Sequence, residues 1–251
     1  MSTRGKYQGM FAIVQFNWPF YLVAALVLLA SMSGIFAFSQ PVLKFGCSIA
    51  LLLALYFVFI SLGVSHVVYD RSDLYRWGWL DRALRGIEMR HAVFCQTGLD
   101  EVSVALREKY PHVQWHMLDH FDENRMTEAS IHRARALFPP PPGTVPAPYN
   151  GWPLPSGSAD VVFGLLAIHE LRTEAERSAW FGECARCLRE GGRVILVEHL
   201  RDVANFGAFG PAFLHFHSKS SWRKSWNSIG LRCIDEFRIT PFLQVFILAI
   251  P

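Results

Sequence analysis

The chain changes character near residue 68. Before that point the hydrophobic positions are contiguous; after it they are interleaved with charge. From Phe20 to Phe38 runs FYLVAALVLLASMSGIFAF, without a single charge. A short SQPVLK break follows, and then a second apolar run from Phe45 to Val64, FGCSIALLLALYFVFISLGV. Each is close to the roughly 20 helical residues that cross a hydrocarbon core of about 30 Å. The pattern therefore predicts a transmembrane hairpin within residues 1–68, with spans at about 20–38 and 45–64. Residues 69–90 show Leu, Trp and Tyr recurring at helical spacing against Arg and Asp, which predicts an amphipathic helix on the membrane surface.

From 91 to 251 short apolar runs alternate with helical patterns. HAVFCQTG, VQWHMLD, ADVVFGLLAIHEL and RVILVEHL read as strands. LDEVSVALREKY, Met126–Phe138, EAERSAWFGECARCLRE and a segment near Ser220–Ile229 read as helices. The proline-rich stretch 139–158 predicts a long loop. Apolar strands separated by helices predict an α/β domain, a doubly wound Rossmann-like sheet covered on both faces. LRCIDEFRI and FLQVFILAI, joined through Thr240-Pro241, predict a C-terminal antiparallel hairpin at its edge.

Charge and cysteine content narrow the function. The 251 residues carry 24 Lys and Arg against 21 Asp and Glu, with no basic stripe, which argues against a nucleic-acid partner. Five cysteines form no disulfide framework. The Cys184–Cys187 pair lies in a predicted helix, with no second pair for zinc, so reduced structural thiols are expected. Arg4 and Lys6 precede the first span, and Arg71, Arg76, Arg82, Arg85 and Arg90 follow the second, while the connecting loop holds only Lys44. The positive-inside bias puts both ends in the cytoplasm, as in a bacterial-type inner membrane.

The domain's order of elements resembles a class I, S-adenosylmethionine-dependent methyltransferase, from about Ala92 to Pro251. WPLPSGSADVVFGLLAIHEL is similar to the family's stretch leading into its fourth strand, and ARCLREGGRVILVEH to its helix–Gly-Gly–strand phrase. GLRCIDEFRI and the last strand resemble its ending. The family's glycine-rich loop is reduced here to FCQTGLDEVS, with Gly98 alone. The resemblance implies S-adenosylmethionine as cofactor, seated by Gln96, Thr97, Gly98, Asp119, His120 and Ala167. Asp119 also lies 21 residues past Gly98, the spacing of a ribose-gripping carboxylate. Asp160 resembles the family's structural aspartate.

Ligands of open α/β sheets bind outside the carboxyl ends of the strands. There the sequence places His169 and Glu170, then Glu198, His199 and Arg201, then Asn205, His215 and His217. His169, His199 and Glu170 are the candidates for proton transfer, since imidazole titrates near pH 6.5. Glu198, Arg201, Asn205, His215 and His217 are candidates for substrate contact. A metal held by His215 and His217 with Glu198, His199 or Glu170 is an alternative, because HxH on an extended segment puts both side chains on one face. The Gly- and Phe-rich segment Asn205–Phe216 has the composition of a lid. The expected function is a membrane-anchored methyltransferase acting on a lipidic or membrane-partitioned acceptor. The alternatives are a non-catalytic subunit scaffolding a membrane partner and a metal-dependent enzyme on the same fold. Self-association is left open.

Overall fold

The computed structural model describes residues 5–251, so Arg4 lies outside the described residues. Three helices open the chain: α1 (Gln8–Phe16), α2 (Trp18–Ala37) and α3 (Pro41–His66). Pro19 and Pro41 sit in the first turns of α2 and α3, where a missing N–H costs nothing. α2 and α3 form the predicted hairpin, somewhat longer than the apolar runs. By length and composition both can cross a membrane, and only 17% and 11% of their most apolar windows are buried. Their seam is built from small residues: Ala24, Ser31 and Gly34 on α2, with Ala54, Ser61 and Ser65 on α3. A Cβ on Gly34 would stand 2.5 Å from Cys47 Sγ, so the backbones meet closely there. Membrane helices pack in this way, because lipid removes the drive to bury large apolar groups between them.

Residues 69–90 do not form the continuous surface helix expected of them. α3 runs into a π-helical turn (Val67–Arg71), followed by turns and the short α4 (Trp79–Ala83). Trp77 takes φ 67°, which no helix continues through. Leu74, Trp77, Trp79 and Leu80 are buried against the domain's sheet instead. The sequence pattern was amphipathic, but the domain supplied the apolar surface that a bilayer was expected to supply.

The domain holds a seven-stranded sheet in the order β3-β2-β1-β4-β5-β7-β6. Its strands are β1 (His91–Gln96), β2 (Gln114–Asp119), β3 (Thr144–Pro146), β4 (Ala159–Leu165), β5 (Leu188–His199), β6 (Arg232–Thr240) and β7 (Leu243–Ala249). β1 to β5 are parallel, and β6 and β7 are the antiparallel edge pair. Helices α5 (Ser103–Lys109), α6 (Ala129–Leu137), α7 (Glu174–Cys187), α8 (Val203–Phe209) and α9 (Lys219–Asn227) connect them. β3 lies inside the stretch expected to be loop, with its one proline, Pro146, on an edge strand that can dispense with ladder donors.

Alternation along β4 shows how one strand serves two cores. Val161, Phe163 and Leu165 pack on one face with Leu74, Leu80 and Phe94, while Ala159 and Val162 pack on the other with Trp180, Phe181 and Trp226. α7 starts with a capping box, Thr173 with Glu176. It ends at Cys187, so Gly191-Gly192 lies within the opening of β5 rather than after the helix. The strand order reverses between β1 and β4, which leaves a crevice at their carboxyl ends.

Candidate active site

Leu165 ends β4, and Leu166 takes φ 55°, uncommon for a residue with a Cβ. The chain turns there into a short 3-10 turn, Ile168–Glu170. Glu198, near the end of β5, organises this turn. Its Oε1 accepts the backbone N–H groups of Ile168 (2.9 Å) and His169 (3.1 Å), and its Oε2 accepts from His169 Nδ1 at 2.7 Å. The carboxylate is fully buried. A carboxylate on Nδ1 fixes the imidazole's orientation and leaves Nε2 as its outward atom.

His169 Nε2 lies 3.6 Å from Glu170 Oε1. Glu170 also meets His215 Nε2 at 3.2 Å, and Nδ1 of His215 meets Glu128 at 3.0 Å. Burial would depress His215, but Glu128 and Glu170 outweigh it and lift it to about 9. Burial pulls Glu170 upward, yet His215, His169 and Arg172 leave it below the usual carboxylate range. His169, Glu170 and His215 thus form one coupled polar cluster.

This cluster faces a cavity of about 1150 Å³. The strand ends contribute Thr97 and Leu165, the segment 209–216 contributes Phe209 and Leu214, and the hairpin contributes Phe20 and Phe57. α1 closes another side with Ala12 and Phe16, and packs on α6. The hairpin is therefore a wall of the chamber. The expected lid takes shape as α8 and a 3-10 turn, Gly210–His215. Arg201 pins that turn by donating to the carbonyls of Leu214 and Phe216. Tyr56 of α3 donates to the carbonyl of Gly207 in α8.

The remaining histidines are turned to other work. His199 Nδ1 lies 2.9 Å from the Phe242 carbonyl and Nε2 lies 2.9 Å from Tyr69 Oη. Burial and neighbouring His169 hold it down at about 4, so it is neutral. Asp202 caps α8 by accepting the Asn205 N–H, and the Asn205 side-chain amide donates to Asp202 and to the Phe242 carbonyl. His217 lies between Arg177 and the carbonyls of His169 and Leu171, and burial drives it down to about 3. His215 and His217 do not share a face, because a 3-10 turn ends between them. The metal set His215, His217, Glu198 and His199 is not assembled. Asp160 receives the N–H groups of Arg90 and His91 and an ion pair from Arg189, a structural role. Asp70, beside the second span, receives Gly9 and Met10 N–H groups and caps α1.

Sequence reasoning missed Glu128 and Arg172, which lie on other elements and complete the cluster's charge. It also missed α1, whose GMFAIVQF stretch carried a short helical pattern just ahead of the hairpin.

Residues 118–196 match the sequence model of a family described as a methyltransferase domain. Over that stretch the chain is similar to methyltransferase domains. The fold agrees with solved structures. The mitomycin 7-O-methyltransferase MmcR is 14% identical, with TM-score 0.57 over 99% of this chain and 74% of that one. The [4+2]-cyclase SpnF is 11% identical, with TM-score 0.51 over 73% and 82%. A Leishmania major S-adenosylmethionine-dependent methyltransferase is 16% identical, with TM-score 0.50 over 77% and 80%. No curated protein sequence matches the chain.

S-adenosylmethionine is the cofactor this domain implies, and its seat is closed by the chain's own side chains. Asp119, placed for a ribose, is paired with Arg135 at 2.7 Å. A Cβ on Gly98 would stand 2.8 Å from Phe121 and 3.1 Å from Ile131, so those side chains fill the space beside the loop. Thr97 donates to the Ala167 carbonyl at 2.7 Å and ties β1 to β4 across the crevice. Gln96 Oε1 accepts from Gly98 N–H, and His120 stacks on Trp152. As they stand, these residues do not fit the cofactor. The closure strands polar atoms: Gln96 Nε2, His120 Nε2 and Arg135 Nη1 are buried without a partner. Each such atom costs about 1–3 kcal/mol.

Proposed function

We propose that the protein is a membrane-anchored methyltransferase whose acceptor is an apolar molecule dissolved in the bilayer. The observation that carries this reading is the chamber itself. Its walls are shared between the hairpin and the strand ends, so a lipidic chain and a polar reactive group can be held at once. Its volume exceeds that of many drug-sized sites. Val203, Phe206 and Leu214 on the lid are exposed, which suits an entrance that dips into the membrane. The basic residues flanking the spans support a cytoplasmic position for the domain through the positive-inside bias.

The cluster of His169, Glu170 and His215 handles the acceptor's polar end. His169 is oriented by Glu198, and Glu128 and Arg172 balance the charge around it. S-adenosylmethionine is the donor proposed from the family's likeness, and its entry requires the Arg135–Asp119 pair and the Phe121 and Ile131 side chains to give way. The Arg135–Asp119 pair favours a second reading, in which the fold serves a reaction without that donor. The named activity of SpnF supports it, since that relative in fold is a cyclase.

The test uses the full chain in nanodiscs of bacterial lipid extract, supplied with methyl-labelled S-adenosylmethionine. The reading expects label in the organic phase, reduced at least tenfold in His169→Ala. Wild-type protein that transfers no label and binds no donor at millimolar concentration would overturn it in favour of the second reading.

A further inference from the structure

We propose that His169, Glu170 and His215 hold a divalent transition-metal ion on the wall of the chamber, with open coordination positions toward the apolar space. The inference rests on the reading that this wall is the reactive centre, but its test reads binding alone.

Three independent features converge. The first is spacing. Glu170 Oε1 lies 3.2 Å from His215 Nε2 and 3.6 Å from His169 Nε2, and one ligand atom from each residue falls within 4.8 Å of the others. Ligands at about 2.0–2.1 Å around a tetrahedral ion stand about 3.3 Å apart. Only the two imidazoles need to draw together.

The second is the outer shell. Nδ1 of His169 meets Glu198 at 2.7 Å, and Nδ1 of His215 meets Glu128 at 3.0 Å. Each imidazole thus has a carboxylate of its own on the remote nitrogen. That arrangement fixes each ring's orientation and points both Nε2 atoms toward Glu170, and it raises ligand basicity once an ion takes the place of the proton between His215 and Glu170. A chance contact between surface side chains has no reason to repeat this partner on both rings.

The third is charge. Glu128, Glu170 and Glu198 bring three negative charges, and Arg172, which acts on Glu128 and Glu170, brings one positive. With both imidazoles neutral, as they are once an ion has displaced the proton His215 holds between its two carboxylates, the balance is minus two (−3 + 1), which a divalent cation cancels. Two imidazoles and one carboxylate make up the donor set of catalytic zinc and of non-haem iron(II) sites that keep positions open. An ion there would bind an oxygen at the acceptor's polar end and polarise it as a Lewis acid.

The experiment is calorimetry of the full-length, chelator-stripped protein in detergent with Zn²⁺, and absorption spectroscopy with Co²⁺. Expected are one ion per chain at micromolar or tighter affinity and cobalt d–d bands of low-symmetry coordination. His215→Ala should weaken binding at least a hundredfold. Its ring is partly exposed, and its loss leaves no fully buried carboxylate unpaired. Glu128→Gln, a change outside the ligand set, should weaken binding about tenfold with stoichiometry kept. Absence of saturable Zn²⁺ and Co²⁺ binding up to millimolar concentration would overturn the proposal. So would wild-type affinity in the folded His215→Ala variant. Neither donor nor acceptor is present, so failure here leaves the acceptor reading standing.

Discussion

At the scale of single residues, Glu198 does the most. One buried carboxylate accepts two backbone donors and one imidazole, so it sets both the turn after β4 and the aim of His169. Glu198→Gln keeps the shape but replaces an acceptor oxygen with a donor group. It should cost about 1–3 kcal/mol in thermal or denaturant unfolding and reduce turnover at least tenfold. Activity at wild-type level in that variant would remove Glu198 from the site. The neutral histidines make a pH prediction. His199 and His217 have folded values near 4 and 3, below the unfolded value near 6.5. Their stabilising effect is complete above pH 6.5 and is lost as pH falls toward 4. The unfolding midpoint should drop across that window, and less so in His217→Gln. Arg135 is the third case. If its pair with Asp119 is what closes the donor seat, Arg135→Ala should bind S-adenosylmethionine at least tenfold more tightly than wild type by calorimetry. Equal affinity would place the obstruction at Phe121 and Ile131. His169, Glu170, Glu198 and His215 were legible only within a larger set that also held His199, Arg201, Asn205 and His217, because strand ends converge in this fold. Arg135 could not, since nothing in MTEASIHRARALF marks one arginine of a helix as reaching across to a strand end.

At the scale of elements, the parallel strands β1, β2, β4 and β5 and the closing antiparallel pair were legible because buried strands are written as apolar runs bounded by turns, whereas the short edge strand β3 was hidden in the proline-rich stretch. The linker was not. Its Trp, Leu and Tyr positions match an interfacial helix, and only tertiary contact with β1 and β4 decides that they pack inward. α1 depends on tertiary contact in the same way. Its first donors are capped not by a neighbour in sequence but by Asp70, which lies 61 residues from Gly9. Asp70→Ala should cost about 0.5–2 kcal/mol, the scale of a lost N-cap. Hydrogen exchange should speed up over Gly9–Phe16 while the sheet keeps its protection. Uniform acceleration across the domain would show instead that α1 is part of one cooperative core.

At the scale of the whole molecule, hairpin and domain share a wall, and the function proposed follows from that junction rather than from either part. The apolar runs announced the hairpin, but no local pattern announced that Phe20 and Phe57 would face the same space as His169. That depends on how α3 meets α8 and how α1 meets α6. The claim is tested most directly by a photoreactive fatty-acyl lipid in nanodiscs, with adducts mapped by mass spectrometry. The account predicts adducts inside the chamber, at residues such as Phe16, Phe209 and Leu214, competed by unlabelled membrane lipid. Adducts confined to the outward face of the hairpin, at Phe36, Leu52 and Phe59, would contradict it.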